Sequence, residues 1–411
     1  MDVVHERAAG IDISKRDAKV AVRVPGKQTG TFVTTVTTWG ATTSQVLELI
    51  DVLTASRVTV VVMEATSDYW KPFYYLMEDT LPVMLVNAKQ ARNIPGRKTD
   101  VSDAAWLAQL AAHGLLRTSF VPPEPVRQLR DLTRARTLAT RDMTRVEQRL
   151  EKFLESSGIK LSAVVSELTG VSGRLMLEAL ADGERDPVVL ADLAKGVLRN
   201  KIPQLEDALV GRFTEHHAFM VHEHLNQIEQ QQAMIDRLTE RIEEAILPFQ
   251  AARDVLVTIP GVSVLVADVI IAETGADMTM FETAAHLASW AGVCPGQNES
   301  AGKMKSSHTT DGNKYLKGAL GVAALAASHS KGTFLAARYR RLVKRRGKPR
   351  AIVAIQHSIL TAAWHMLRNG EAYDELGADY YTQRDPQRTR ARAIRDLEAL
   401  GYNVVITPVA A

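Results

Sequence analysis

The 411-residue chain has a single cysteine, Cys294, and lacks long runs of uninterrupted apolar residues. One cysteine excludes a disulfide framework and the ligand spacing of a zinc finger, and it fits a reducing cytoplasm. The longest uncharged run, residues 351–367, contains Gln356 and His357. We therefore expect a buried core helix there and no membrane span. The first residues include Asp2 and Glu6 and no apolar segment, so no signal peptide is expected.

The length predicts at least two domains, because single hydrophobic cores stop growing near ~250–300 residues. The net charge is only +3, but the basic residues are clustered along the chain. Changes in apolar pattern predict four segments. They are an α/β domain over 1–125, long coiled-coil helices over 126–250 with a helical insert at about 158–213, a helical domain over 251–370, and a basic tail over 371–411.

The first segment alternates strand-like and helical patterns in the order three strands, helix, strand, helix, strand, helix. The β-branched run 58–63 is typical of a strand that is buried on both faces. Asp12 comes near the end of the first strand, and Glu64 ends the 58–63 run. In open α/β sheets, functional sites gather where strand ends meet loops. The alternative is that the two acidic residues merely terminate strands.

Two further carboxylates, Asp100 and Asp103, open a segment that has the pattern of a helix. Positions i and i+3 share one helix face, so the two side chains would repel each other unless a cation lay between them. Mg²⁺ prefers such oxygen ligands. Together with Asp12 and Glu64, these residues could hold two Mg²⁺ ions for in-line attack at a phosphate. The alternative is favourable placement of acidic residues at a helix N-terminus.

The middle of the chain predicts two long helices that pair, since apolar residues recur at nearly heptad spacing around 129–153 and 228–245. The other faces of the first helix are rich in arginine. These arginines can be solvated, support helix pairing or contact nucleic acid; they are Arg127, Arg130, Arg134, Arg136, Arg141, Arg145 and Arg149.

The turn at Pro260-Gly261 precedes an apolar helix and resembles a helix-hairpin-helix, in which backbone N–H groups hold a DNA phosphate. A simple helix connection is the alternative. The following polar, glycine-containing stretch 296–303 is expected to be a loop. A serine nucleophile needs exposure, activation and cations for the phosphate. Ser300 has Lys303 and Lys305 nearby, but Ser289, Ser306 and Ser307 compete with it, and the residues alone do not separate them.

The strongest electrostatic feature is the basic segment, residues 335–350, which contains no acidic residue. It is expected to contact a phosphate backbone, with a solvated face as the alternative. Its cationic residues are Arg338, Arg340, Arg341, Lys344, Arg345, Arg346, Lys348 and Arg350.

Three motifs together resemble a known family. The stretches Gly-Ile-Asp-Ile-Ser-Lys at 10–15, Met-Glu-Ala-Thr at 63–66 and Lys-Thr-Asp-Val-Ser-Asp-Ala at 98–104 look like the acidic motifs of the DEDD transposases. These are Piv-invertase-like recombinases of bacterial insertion sequences. The resemblance implies a RuvC-like, RNase H-fold N-terminal domain over 1–125 and a C-terminal serine transposase domain over 251–370.

The same resemblance implies how the residues act. Ser300 would attack a DNA phosphate and form a phosphoserine intermediate, while Asp12, Glu64, Asp100 and Asp103 bind Mg²⁺. Its implied partners are donor and target DNA, a non-coding bridge RNA, and further copies of the chain in a dimer or tetramer with sites shared between subunits.

Two other functions fit the residues. A RuvC-like, Mg²⁺-dependent, structure-specific nuclease would use water as nucleophile and need only the four carboxylates. A non-catalytic nucleic-acid-binding protein would need only the basic residues. We expect a cytoplasmic protein in each case.

Overall fold

The computed structural model describes residues 2–65, 67–87, 102–296, 298–300 and 302–407, without the side chains of 298–300 and Met304. The chain divides into two compact units, Met1–Val121 and Pro122–Ala411. The finer division into four segments stays a prediction. Among the described helices, none combines the length and apolar character that crossing a bilayer requires.

The N-terminal unit is built on a five-stranded mixed sheet. Its elements are β1 (Ala8–Ile13), β2 (Asp17–Pro25), β3 (Phe32–Gly40), α1 (Thr43–Ala55), β4 (Val60–Glu64), α2 (Trp70–Met77), β5 (Val83–Val86) and α3 (Asp103–Ala112). The strand order is β3-β2-β1-β4-β5. The first three strands pair antiparallel, whereas β1, β4 and β5 run parallel. The described elements follow the expected order.

The two faces of this sheet are covered by different helices. Ile11 and Met63 pack into a core cluster with residues of α1 and α2. Val60 and Val62 belong to a second cluster with Leu107 of α3. Because side chains alternate along a strand, every second residue of β1 and β4 faces α3. All five residues of β4 are buried, as the run of β-branched residues predicts for a strand covered on both faces.

Two long helices form an antiparallel pair in the second unit, α4 (Glu124–Ser157) and α8 (Glu215–Ala245). Arg136 Nε donates to Thr239 Oγ1 at 2.8 Å, and the Phe153 ring lies 5.4 Å from that of His217. The first half of α4 thus contacts the end of α8, and the end of α4 contacts the start of α8. Gly158, with φ of +81°, ends α4 in the left-handed conformation that glycine adopts without strain.

The insert between these helices shares one hydrophobic core with the helix ends that it joins. It contains α5 (Val171–Ala181), α6 (Pro187–Asp192), α7 (Ile202–Ala208) and short 3₁₀ turns at Leu161–Ala163 and Gly196–Lys201. Buried Met176, Leu190 and Leu205 cluster with Leu150 of α4 and Leu225 of α8. The insert is therefore packed onto the far end of the helix pair.

The rest of the second unit is mostly helical. It comprises a 3₁₀ turn Leu247–Phe249, α9 (Gln250–Leu256), α10 (Val264–Thr274), a 3₁₀ turn Met278–Met280, α11 (Ala284–Ala291), β6 (Asn298–Ser300), β7 (Lys303–Ser306), α12 (Lys314–His329), α13 (Phe334–Arg346), α14 (Lys348–Asn369), α15 (Tyr380–Arg384) and α16 (Pro386–Ala399). Helix α14 contains the uncharged run 351–367, and its Ile355, Ile359 and Leu360 are fully buried. The core helix expected there is present.

Candidate active site and nucleic-acid interface

Asp12 and Glu64 end two neighbouring parallel strands. Ile11 of β1 is the register partner of Met63 of β4, so each acidic residue comes one position after a paired residue. Both lie in phase with the residues that face α3. Glu64 is buried, with 8% of its surface exposed, and Asp12 is half-buried. Two carboxylates are therefore placed at the same end of the same sheet face.

Asp103 is brought to this face by the close approach of α3. Ser102 caps the helix by accepting a hydrogen bond from the Ala105 N–H, and Asp103 is the first helical residue. A Cβ built on Gly10 would lie 2.2 Å from the Ala104 carbonyl oxygen and 2.5 Å from the Ala108 nitrogen. Only a glycine leaves room for that contact. The start of α3 therefore packs directly on β1 at Gly10. This contact point is two residues before Asp12 in the same strand.

The structure thus places two of the four predicted carboxylates on one face of the sheet and a third, Asp103, at the start of the helix that packs on that face. The fourth, Asp100, lies outside the described residues. Within the described ranges, no three His, Cys, Asp or Glu side chains form a group that could hold one ion. The donors themselves are carboxylate oxygens, which suit a hard divalent cation. Asp12, Glu64 and Asp103 are the described residues that could contribute to holding one.

The stretch that contains Ser300 is a β-hairpin, and the expectation of a loop was wrong. Strands β6 and β7 pair antiparallel, Ser300 is the partner of Lys303, and the ladder is irregular at Asn298 and Glu299. Gly302, with φ of +73°, supplies the left-handed residue that a tight connection needs. Polar composition did not predict this pairing, because an exposed hairpin buries little apolar surface. The Ser300 side chain lies outside the described part of the chain.

The base of this hairpin is held by backbone contacts. The Gly296 N–H donates to the His308 carbonyl at 2.9 Å, and Pro295 bridges Thr309. A Cβ on Gly312 would lie 2.2 Å from the Ala291 carbonyl oxygen, so the chain beyond β7 packs tightly on the end of α11. The hairpin is therefore fixed at its base.

The competing serines differ in surroundings. Ser306, half-buried, accepts a hydrogen bond from the His308 N–H at 3.1 Å, whereas Ser289 and Ser307 are exposed. The His308 Nδ1 atom lies 2.9 Å from the Thr309 carbonyl oxygen, so that ring nitrogen is engaged with the backbone.

The basic segment forms most of α13 and the start of α14. Arg338 donates to the Tyr381 hydroxyl at 3.3 Å, and the Arg341 guanidinium lies 4.6 Å from the centre of the Tyr381 ring. These two arginines hold α15 of the tail in place. The remaining six cationic residues are exposed; they are Arg340, Lys344, Arg345, Arg346, Lys348 and Arg350.

The arginines of α4 mostly serve the fold. Arg130 donates to the Ala272 and Glu273 carbonyls at 2.9 and 2.8 Å. Arg134 pairs with the Glu273 carboxylate at 2.7 Å, and Arg136 donates to Thr239 of α8. Arg130, Arg134 and Arg136 therefore stabilise the packing of α4 on neighbouring helices, which is one of the roles predicted for these arginines.

The turn at Gly261 connects α9 and α10. A Cβ on Gly261, which has φ of +89°, would lie 2.4 Å from the Ala323 carbonyl oxygen and 2.5 Å from the Ala327 nitrogen of α12. Ser263 caps α10 by accepting from the Val266 N–H. The glycine is thus needed for close packing on α12, and phosphate binding at this turn stays a prediction.

Sequence reasoning missed two buried charged groups. Arg253 pairs with Asp268 at 2.8 Å and with Glu243, and burial raises the pKa of Asp268 although Arg253 opposes that shift. Glu273 is completely buried and bonded to Arg134 and Asn313. The signal was available, since Asp268 and Glu273 interrupt the otherwise apolar residues of α10.

Carboxylates at one end of a sheet can bind a divalent cation, and clustered exposed cations on helices can contact a nucleic-acid backbone. Residues 9–159 match a DEDD family of IS110 elements described as "Transposase", and residues 253–340 match "Transposase IS116/IS110/IS902 family". Two separate regions of the chain therefore match models of IS110-family insertion-sequence transposases. A DEDD domain implies the use of a divalent metal.

One curated relative supports this assignment. Over 139 residues, the chain is 30% identical to the "Insertion element IS110 uncharacterized 43.6 kDa protein" of Streptomyces coelicolor. The match covers 34% of each protein, so the chain aligns with about a third of that relative's length.

Proposed function

We propose that this protein cuts and rejoins DNA for an insertion sequence, through a phosphoserine intermediate on Ser300. The proposal is supported by the placement of Asp12 and Glu64 at the same end of one sheet face and by the packing of the start of α3, which carries Asp103, on β1. Asp100, two residues before the Ser102 cap, is assigned to the same group by its motif. The sheet order β3-β2-β1-β4-β5 supports an RNase H-like, RuvC-like N-terminal domain.

In the proposed reaction, the Ser300 hydroxyl oxygen attacks a DNA phosphorus atom. One bond from that phosphorus to a sugar oxygen breaks, the strand end leaves as a hydroxyl, and the phosphate stays joined to the serine. Attack by another strand-end hydroxyl then releases the serine and rejoins DNA. The four carboxylates would hold Mg²⁺, which when bound polarises the phosphate and favours the serine alkoxide. Lys303 and Lys305 offer positive charge to the phosphate.

The proposed partners follow from charge and from the family resemblance. The six exposed cations of the basic segment that do not contact Tyr381 favour contact with donor and target DNA. A non-coding bridge RNA that pairs with both DNAs is proposed as the source of sequence choice. We also propose a homo-oligomer, a dimer or tetramer, in which Ser300 and the acidic residues of different copies form one site.

The test is the covalent protein–DNA adduct on a denaturing gel. Ser300→Ala should abolish the adduct, because the nucleophilic oxygen is lost, and Asp103→Asn should abolish it by weakening the acidic group. Ser307→Ala is the matched control and should keep it. An adduct that persists in Ser300→Ala would exclude Ser300 as the nucleophile. An adduct lost in Ser300→Ala but kept in Asp103→Asn would exclude the composite mechanism.

A second function, a RuvC-like nuclease that uses water, is favoured by the acidic residues alone. It needs only the group on the sheet face. Strand cleavage that persists in Ser300→Ala, with no adduct in the unmodified protein, would favour this nuclease over the recombinase.

A further inference from the structure

A buried carboxylate joins three parts of the second unit. The Glu273 side chain of α10 has no exposed surface and accepts two hydrogen bonds from Arg134 of α4, each 2.7 Å long. Asn313 Nδ2 donates to it at 2.6 Å. Arg130 Nε lies 3.5 Å from the same carboxylate. We name these four residues, Arg130, Arg134, Glu273 and Asn313, the Glu273 junction.

The charges of the junction make it hard to rearrange. Burial alone would lower the pKa of Arg134, but the hydrogen bond and negative charge of Glu273 more than offset this, and the pKa is raised. Removing one member of a buried ion pair leaves an uncompensated charge. Buried ionic groups can serve to hold one arrangement of elements against others. The junction therefore favours one placement of α4, α10 and the start of α12.

Asn313 connects the junction to the serine hairpin. Its Oδ1 accepts from the N–H groups of Tyr315 and Leu316, at 3.0 and 3.1 Å, and so caps α12. The preceding residue, Gly312, packs on the Ala291 carbonyl. One amide side chain thus bonds to Glu273 through its nitrogen and to α12 through its oxygen, at the point where the chain leaves the hairpin base.

We propose that Glu273 is a positioning residue for the proposed reaction, holding the base of the Ser300 hairpin in register with the long helix α4 through Asn313. The proposal rests on Ser300 as the nucleophile. Glu273 touches no reacting atom and acts through Asn313. A hairpin displaced at its base would present Ser300 to the phosphate in the wrong place, which slows bond formation without removing DNA contacts elsewhere.

The test exchanges donor and acceptor at the Asn313–Glu273 contact in the full chain. Asn313→Asp keeps the cap, because aspartate accepts N–H bonds as asparagine does, but it sets two carboxylates against each other. Glu273→Gln removes the charge that holds Arg134. The double variant Glu273→Gln with Asn313→Asp restores the contact with its polarity reversed, since the introduced glutamine amide can donate to the introduced aspartate.

The readouts are the rate of adduct formation at saturating DNA and the dissociation constant of a DNA duplex. Each single variant should form the adduct about 100-fold more slowly, on the scale of a 1 Å misplacement, with an unchanged dissociation constant. The double variant should recover most of the rate. Single variants at the wild-type rate, or a stable double variant no faster than the singles, would overturn the proposal.

A further variant covers a failure to fold. Asn313→Ser keeps a capping oxygen and leaves the Arg134–Glu273 pair intact, but its side chain is too short to reach Glu273. A slow, folded Asn313→Ser supports the proposal, and a wild-type rate contradicts it. Ser300→Ala is assayed in parallel. If it retains the adduct, Ser300 is not the nucleophile, which is an outcome distinct from failure of the polarity exchange.

Discussion

At the scale of single residues, glycine decides where functional side chains lie. Gly10 has no catalytic group, yet its missing Cβ lets α3 contact β1 and so sets the position of Asp103. Gly312 does the same for the hairpin base by packing on Ala291. In both cases a backbone carbonyl occupies the space that any larger residue would need.

Gly10→Ala should destabilise the N-terminal unit and reduce adduct formation. The new methyl group would overlap the Ala104 carbonyl, so α3 must move away from the sheet and carry Asp103 with it. Overpacking of this kind costs about 1–3 kcal/mol. Thermal unfolding and the adduct assay measure the two effects.

Gly318→Ala is the matched control, because a Cβ there would make only an ordinary 3.8 Å contact with Arg141. It should be neutral or slightly stabilising within α12. Equal stability of Gly10→Ala and the unmodified protein would contradict the close approach of α3 to β1.

At the scale of elements, the basic segment has two roles. The side of α13 that carries Arg338 and Arg341 binds the tail through Tyr381. Phe334 at the start of the same helix stacks on the Tyr381 ring, with centroids 5.6 Å apart. The exposed cations lie toward its C-terminal end and continue into α14. The composition of the segment alone did not distinguish the two arginines that bind the tail from the exposed cations.

Arg345→Ala with Arg346→Ala should weaken binding to all DNA sequences alike. Each lost phosphate contact reduces counterion release, so the slope of log K against log salt should flatten by up to about two. Filter binding or anisotropy over a salt series measures it. Arg237→Ala with Arg241→Ala removes two exposed arginines of α8 and is the control. An unchanged slope in the first pair would make the segment a solvated face.

His357 of α14 should make stability sensitive to acid. Burial, with a smaller effect of the Arg338 charge, lowers its pKa below the ordinary value of 6.5, so the fold favours the neutral ring. Its contribution to the free energy of unfolding is present above pH 6.5 and is lost as the pH falls through the lower folded-state pKa. In urea unfolding between pH 5 and 8, the free energy of unfolding of His357→Gln should fall less steeply with decreasing pH than that of the unmodified protein.

The control for this effect is His329→Gln, which replaces an exposed histidine at the end of α12. The free energy of unfolding of this variant should fall with decreasing pH as steeply as that of the unmodified protein. A His357→Gln curve that follows the control would mean that this ring does not link protonation to folding.

At the scale of the whole molecule, the chain consists of two compact units with different chemistry. The described acidic residues at the sheet end all belong to the first unit. The serine hairpin, the Glu273 junction and the basic segment belong to the second. The proposed reaction therefore requires groups from both.

Calorimetry should resolve two unfolding transitions, and Mg²⁺ should raise the temperature of only the one that belongs to the first unit. A ligand that binds the native state stabilises the unit that holds it. Asp12→Asn should abolish the Mg²⁺ shift, whereas Asp51→Asn, on the exposed side of α1, should keep it. A Mg²⁺ shift retained by Asp12→Asn would remove Asp12 from the metal site.

The sequence alone determined the elements of the N-terminal unit and the candidate residues. A run of β-branched residues predicts a buried strand, as in β4. The acidic residue that ends such a run, as Glu64 does, is then predicted to lie at the strand end. These signals are local, because burial imposes the period of two or of 3.6 on neighbouring residues. The three acidic motifs could likewise be found in order along the chain.

Only the tertiary structure decided which residues meet. Arg134 reads as one of seven arginines on a helix, and its bond to Glu273, 139 positions away, depends on how α4 packs on α10. The hairpin at Ser300 forms through backbone pairing that leaves little apolar pattern. Such contacts come from the packing of whole elements, and a linear sequence does not record which faces come together.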